Sequence, residues 1–242
     1  MEIAGRTALV TGGARRVGRA IAIGLARAGG DVVIDHSNSD AEAGEVADLV
    51  RREGRRAAVV RADVASAAGR RDMIETAVSQ FGRLDILVNN ASLFERTAFQ
   101  DITESDFDRV IGVNLRGPFF LCQEAAPLLK KETGVIINIA DLSAMQAWPT
   151  FAHHAISKAG LLHLSRVLAR ALAPEVRVNC IVPGTILPPA DFEGEDYADG
   201  RDRRVTAREG SPQDVVDALL WLIRADFVTG QTVIVDGGRT LL

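Results

Sequence analysis

Asp141, His154 and Lys158 put a carboxylate, an imidazole and an ammonium within one short stretch, enough for acid–base chemistry at a single place. His154 and Lys158 stand four apart, so on a helix they share a face. Asp141 follows Val135, Ile136, Ile137 and Ile139, a β-branched run with the composition of a strand buried on both faces. It is therefore expected just past the carboxyl end of a strand, where open α/β sheets bind their ligands. An imidazole has a reference pKa of about 6.5 and can give or take a proton near neutrality. A neighbouring ammonium lowers its charged fraction, and an ionised carboxylate raises it.

A second cluster sits near the start. Thr7–Thr11 is a short apolar strand running into Gly12-Gly13-Ala14-Arg15-Arg16-Val17-Gly18, and Arg19–Ala28 follows with helical period. Strand, glycine turn and helix in that order aim backbone N–H groups and a helix dipole at a phosphate.

The elements that must position these residues alternate. Further strands are expected at Asp31–Ile34, Ala57–Val60, Leu84–Val88, Val176–Val182 and Thr232–Val235. Helices are expected over Ala41–Arg52, Arg70–Phe81, Thr103 to Lys131 with a kink at Gly117-Pro118, from Phe151 onward, and from Ser211-Pro212 to about Arg224. No composition shift marks a linker. The consistent solution is one α/β domain over residues 1–242, a doubly wound parallel sheet of Rossmann type with helices on both faces. Residues 187–208 are long for a connection and read as a substrate lid.

Composition narrows the function. With 47% hydrophobic residues the chain can bury a large core, and a net charge of -4 without a basic stripe argues against nucleic acid. Arg51, Arg52, Arg55 and Arg56 read as a solvated helix end and loop. Cys122 and Cys180 sit in apolar surroundings without metal-ligand spacing, so no metal is expected and a reducing compartment is. No signal peptide and no membrane span is read, which places the protein in the cytoplasm.

Along essentially its whole length the chain resembles the short-chain dehydrogenase/reductase family. The landmarks are the Thr11-Gly12 turn with Gly18, Asp63-Val64, Asn89-Asn90-Ala91, Asn114, Lys158, Pro183-Gly184, and Gly230 before Asp236-Gly237-Gly238. The resemblance implies a nicotinamide-dinucleotide oxidoreductase acting on a small molecule, a homotetramer (or dimer) with no nucleic-acid or membrane partner. It implies pyrophosphate contacts from the turn Gly12, Arg16, Val17 and Gly18, a basic residue of NADP users at Arg15, an adenine bordered by Asp63 and Val64, and Asn90 and Lys158 on the nicotinamide-side ribose. Pro183 and Gly184 would line the nicotinamide pocket, and Asn114 would order a proton relay.

Two departures from the family pattern point to the pteridine reductase branch and then away from it. Arg16 replaces the middle glycine of the first turn, and Asp141 stands where most members carry Ser; both are similar to that branch. His154, however, occupies the place of the family's catalytic Tyr, and Tyr197 in the expected lid is the sole tyrosine. Ser143 is two positions late to act as the family's Ser. His36 holds the acid position of NAD users, with Asp35 one residue early. Arg15, Ser37 and Asn38 then favour NADPH as cofactor, with NADH possible.

The reading that follows is NADP(H)-dependent reduction of a carbonyl or pterin-type C=N by an Asp141–His154–Lys158 site with Asn114. The alternatives are a catalytically impaired dinucleotide-binding protein serving as sensor or oligomer partner, and a 3-oxoacyl-thioester reductase. Phe94, Trp148 and Phe151 could form an aromatic wall. His153 is read as structural or solvent-facing, and His163 as helix surface.

Overall fold

A computed structural model describes residues 1–187 and 204–242. The expected lid thus falls largely on residues outside the described ones. The seven expected strands form one parallel sheet in the order β3-β2-β1-β4-β5-β6-β7. They are β1 (Thr7–Val10), β2 (Asp31–His36), β3 (Ala57–Arg61), β4 (Ile86–Asn89), β5 (Val135–Ile139), β6 (Arg177–Pro183) and β7 (Thr232–Val235). Every residue of β1, β2, β4 and β5 is buried, as continuous apolar runs covered on both faces require. Strand order reverses between β1 and β4, which opens a crevice at their carboxyl ends beside the glycine turn.

Helices α1 (Arg16–Arg27), α2 (Asp40–Arg52), α3 (Ala67–Phe81), α4 (Glu104–Ile111), α5 (Gly117–Lys131), α6 (Ala152–Ala171) and α7 (Pro212–Arg224) cover both faces. Ile21, Leu25, Val46, Val50, Val215 and Leu219 of α1, α2 and α7 build one core. Met73, Leu121 and Leu129 of α3 and α5 belong to the other. The expected cap at Thr103 is present, its hydroxyl accepting from Asp106 N while Asp106 accepts from the Thr103 backbone.

The long helix after Thr103 departs from the expected kink. Instead of bending at Gly117-Pro118, the chain widens into a π turn over Gly112–Arg116, with Gly117 N donating to Gly112 O. Pro118 has no N–H to donate to the carbonyl four residues back, so the ladder is already broken at this place. The widened turn buries the side chain of Asn114. α1 also begins earlier than its apolar period suggested, at Arg16.

The amino ends of the strands are pinned by buried carboxylates. Asp85 accepts from Thr7 N at 2.9 Å, Arg6 at 2.8 Å and Arg83 at 2.6 Å. Asp31 accepts from Arg55 at 2.7 Å and Arg56 at 2.8 Å, which corrects the reading of those two arginines as merely solvated. The chemistry is left to the opposite ends.

Candidate active site

Asp141 lies two residues beyond β5, and α6 carries His154 and Lys158 back over the end of that strand. The seat of α6 is fixed by two buried contacts with β5. Asn138 Nδ2 donates to Ser165 Oγ at 2.8 Å, and Lys158 Nζ donates to Ile139 O at 2.9 Å. The three expected residues therefore meet, as their spacing predicts.

Both ring nitrogens of His154 face acceptors. Nε2 lies 2.7 Å from Asp141 Oδ2 and Nδ1 lies 2.8 Å from the carbonyl of Leu93. Only the ring with a proton on each nitrogen can donate to both. The His154 side chain is 1% exposed and the Asp141 side chain 24%, so the carboxylate is the member of the pair that looks outward. Burial alone would raise the Asp141 carboxyl; the hydrogen bond from His154 and the charge of Lys158 outweigh it and bring it down to about 2. Burial lowers the Lys158 ammonium, against the pull of Asp141.

Asn114 clamps the rear of this pair. Its Oδ1 accepts from Leu93 N at 2.8 Å, and its Nδ2 donates to Leu93 O and Ser157 Oγ, each at 3.0 Å. The same Nδ2 lies 3.3 Å from His154 Nδ1. Asn114 thus fixes the backbone carbonyl against which the imidazole rests. In front, Phe94 stacks on Phe151 with centroids 4.4 Å apart and meets His154 edge-on at 4.8 Å. Trp148 packs edge-on against Phe151 at 6.2 Å, so the expected aromatic wall borders the acid–base pair.

The glycine turn suits an anion. α1 starts without a side-chain cap and without an acidic residue in its first turn, so its leading N–H groups and positive dipole end stay available. A Cβ at Gly18 would fall 2.1 Å from Gly12 O, so only glycine closes the turn. Arg16 has a φ of 53°, a left-handed conformation that costs a non-glycine residue about 1 kcal/mol or more. Its Nη2 reaches Leu187 O at 3.3 Å.

Comparison with known proteins shows the family to which this fold belongs. Residues 12–240 match the family model described as enoyl-(acyl carrier protein) reductase. The chain is 35% identical to an L-rhamnose 1-dehydrogenase (NAD(P)(+)) of Sphingomonas sp. (strain SKA58), covering 97% of this chain and 96% of that protein. It is 34% identical to a 3-oxoacyl-[acyl-carrier-protein] reductase of Staphylococcus aureus (strain Mu50 / ATCC 700699), covering 96% and 97%. The solved structure of an angucycline C-6 ketoreductase with bound NADP superposes with a TM-score of 0.93 at 29% identity, covering 100% of this chain and 98% of that one. The chain belongs to the short-chain dehydrogenase/reductase family. It is an oxidoreductase dependent on a nicotinamide dinucleotide.

For a short-chain dehydrogenase/reductase, several expected cofactor residues have structural work of their own. Asn90 Nδ2 donates to Thr11 O at 2.9 Å and Gly12 O at 3.1 Å, holding the glycine turn. Asp63 is exposed and accepts from Ala65 N, ahead of the buried Val64. Gly184 leaves room for Asp236, which a Cβ would meet at 2.7 Å, and Pro183 ends β6. Arg15 pairs with Glu42 at 2.5 Å, while Ser37 and Asn38 stand exposed past β2. Val17 is half-buried in the first turn of α1.

Four contributors escaped the sequence reading. Ser143 donates both its hydroxyl and its N–H to Asp141 Oδ1, and so is a partner of the carboxylate rather than a stray hydroxyl. Leu93 offers a backbone carbonyl, which no side-chain motif announces. Ser157 accepts from Asn114, an i, i+3 neighbour of His154 that helical spacing could have flagged. Arg61, paired in register with His36, donates Nε to Ser37 O at 3.3 Å and brings a second guanidinium to the end of β2. His153 is buried with neither ring nitrogen hydrogen-bonded, which corrects the solvent-facing half of its reading. His163 is exposed on α6, as expected.

Proposed function

We propose that the protein is an NADP(H)-dependent reductase of a carbonyl or pterin-type C=N, with His154 doing the proton work that a tyrosine does elsewhere in the family. The observation that carries this reading is the imidazole held between Asp141 Oδ2 and Leu93 O, one turn before Lys158. NADPH, when bound, supplies hydride to the carbon of the acceptor. The bonding pair that this displaces moves to the oxygen or nitrogen, which must take a proton. Asp141 is the outward group, so its ionised carboxylate takes the proton of His154 Nε2 and hands it to the acceptor. Lys158 keeps that carboxylate ionised before and after the relay, and Asn114 keeps the ring facing Asp141. Gly12, Arg16, Val17 and Gly18 would hold the pyrophosphate. Arg15, Ser37, Asn38 and Arg61 would meet the adenosine ribose phosphate, and Arg16 with Asp141 favours the pteridine reductase-like branch.

The aromatic wall of Phe94, Phe151 and Trp148 suits a flat acceptor that stacks. Phe119, Ile156 and Val167 are large apolar side chains left exposed on α5 and α6, which supports a homotetramer (or dimer). The test is NADPH oxidation against a panel of ketones, aldehydes, cyclic imines and dihydropterins from pH 5 to 8. Turnover of a flat carbonyl or C=N compound is expected. NADPH binding without oxidation by any member would leave the sensor or oligomer-partner reading in its place.

A further inference from the structure

A cavity of about 350 Å³ opens beyond the carboxyl ends of β6 and β7, away from the acid–base pair and unused by the chemistry above. Its walls include Thr185, Arg204, Thr206, Arg208, Gly238 and Arg239. It is a built structure. Val205 N and Thr206 N both donate to Gly237 O, at 2.9 and 3.0 Å, and a Cβ at Gly238 would fall 2.9 Å from that of Val205.

The carboxylates in its wall are already engaged. Asp214 takes Arg208 on both oxygens and Ser211 N at 2.8 Å. Asp236 takes Gly238 N and Thr240 N, each at 2.8 Å. Arg239 is different. Among the described residues its side-chain hydrogen bond goes to a neutral group, the hydroxyl of Thr185, through Nη1. A guanidinium carries five N–H donors, and this one lines the cavity with one of them engaged. A half-buried cation with a neutral partner attracts an anion, and Arg204 beside it is itself paired with Glu209 at 3.9 Å.

The sheet register relates the strand end that bears the cavity to the one that bears Asp141. Ile139 pairs with Ile181, and Pro183 with Val235. Continuing that register puts Asp141 level with Pro183 and Val235, just short of Asp236. Neighbouring strands are about 4.8 Å apart, so the β7 end lies two strands, or about 10 Å, from the β5 end. We propose that the cavity is a subsite for an anionic arm of the substrate, a carboxylate or phosphate about 10 Å from the hydride-accepting atom, recognised by Arg239. The position of that atom rests on the reductase reading above; the anion site itself does not.

Two matched pairs test this without requiring turnover. One is 4′-formylbiphenyl-4-carboxylate and its methyl ester; the other is pteroate and its methyl ester. Each acid holds its charge near the required distance and each ester removes it. Calorimetric titration of the NADP+-loaded protein should show at least one acid binding about ten-fold or more tightly than its ester, the usual worth of a charge-assisted hydrogen bond. Arg239→Met should erase that preference and Arg239→Lys should keep part of it, with NADP+ affinity confirming that both variants fold. Equal binding of acid and ester in both pairs, or no binding of either acid, overturns the subsite. A preference that survives Arg239→Met overturns the role of Arg239. Parallel NADPH oxidation against the whole carbonyl and C=N panel separates the two readings. Discrimination without turnover leaves the anion site and removes the reductase; turnover without discrimination does the reverse.

Discussion

A phenol can lose a proton and remain a modest anion, whereas an imidazole is a useful acid only while both of its nitrogens are protonated. At His154 a carboxylate lies against Nε2, and the carbonyl of Leu93 and the amide of Asn114 both reach Nδ1. Replacing Asp141 by Asn removes the charge and keeps the shape. NADPH oxidation by Asp141→Asn should fall by about 10²-fold or more while NADPH affinity holds. The same substitution carries a stability signature. Asp141 titrates at about 2 in the fold against 3.8 unperturbed, so its contribution is complete above pH 4 and drains away between pH 4 and 2. In urea titrations the gap between wild type and variant should shrink across that window; a constant gap contradicts the pairing. Asp141, His154 and Lys158 were legible because strand-end position and helical spacing are properties of sequence. Leu93 was not, because any residue offers a carbonyl and only the fold brings this one to the ring.

At the scale of elements, the glycine turn and the end of β2 form one unit. Asp35 Oδ2 accepts from Gly12 N at 3.1 Å, and its Oδ1 is buried without a hydrogen bond. Burial raises its carboxyl to about 7, partly offset by the Gly12 N–H and reinforced by the charge of Asp63. A folded pKa above the unfolded one means stability that is present at low pH and lost as pH rises from about 4 to 7. Asp35→Asn keeps an acceptor for Gly12 without the charge. Its melting temperature relative to wild type should therefore climb between pH 5 and 8, and a pH-independent difference would refute the assignment. The strand–turn–helix pattern announced this unit, since glycine at Gly12 and Gly18 is demanded by backbone geometry. The π turn at Gly112–Arg116 was hidden, because Pro118 predicts a fault in the helix without saying which form it takes.

The whole molecule separates its tasks between the two ends of one sheet. Asp31 and Asp85 tie the amino ends with arginines, and the carboxyl ends carry the glycine turn, the acid–base pair and the Arg239 cavity. Asp85 is fully buried, and its carboxyl stays below the usual range because Arg83, Thr7 N and Arg6 outweigh the penalty of burial. Asp85→Ala should cost about 2 kcal/mol in urea denaturation by leaving Thr7 N and Arg6 without their acceptor while Arg83 keeps Glu132, and the affinity of the folded protein for NADPH should stay intact. A loss below about 1 kcal/mol would mean those donors re-solvate freely. Alternating apolar strands and amphipathic helices made the doubly wound sheet readable end to end. Arg239 was not readable as a recognition residue, because its neighbours Thr185 and Thr206 come from other segments of the chain.

If the imidazole of His154 supplies the proton, single-turnover NADPH oxidation by wild type and His154→Phe, with the best acceptor from the panel and alongside NADPH dissociation constants, reads it directly. The rate should drop by about 10²–10⁴-fold with cofactor affinity unchanged. A variant that turns over at the wild-type rate would contradict it.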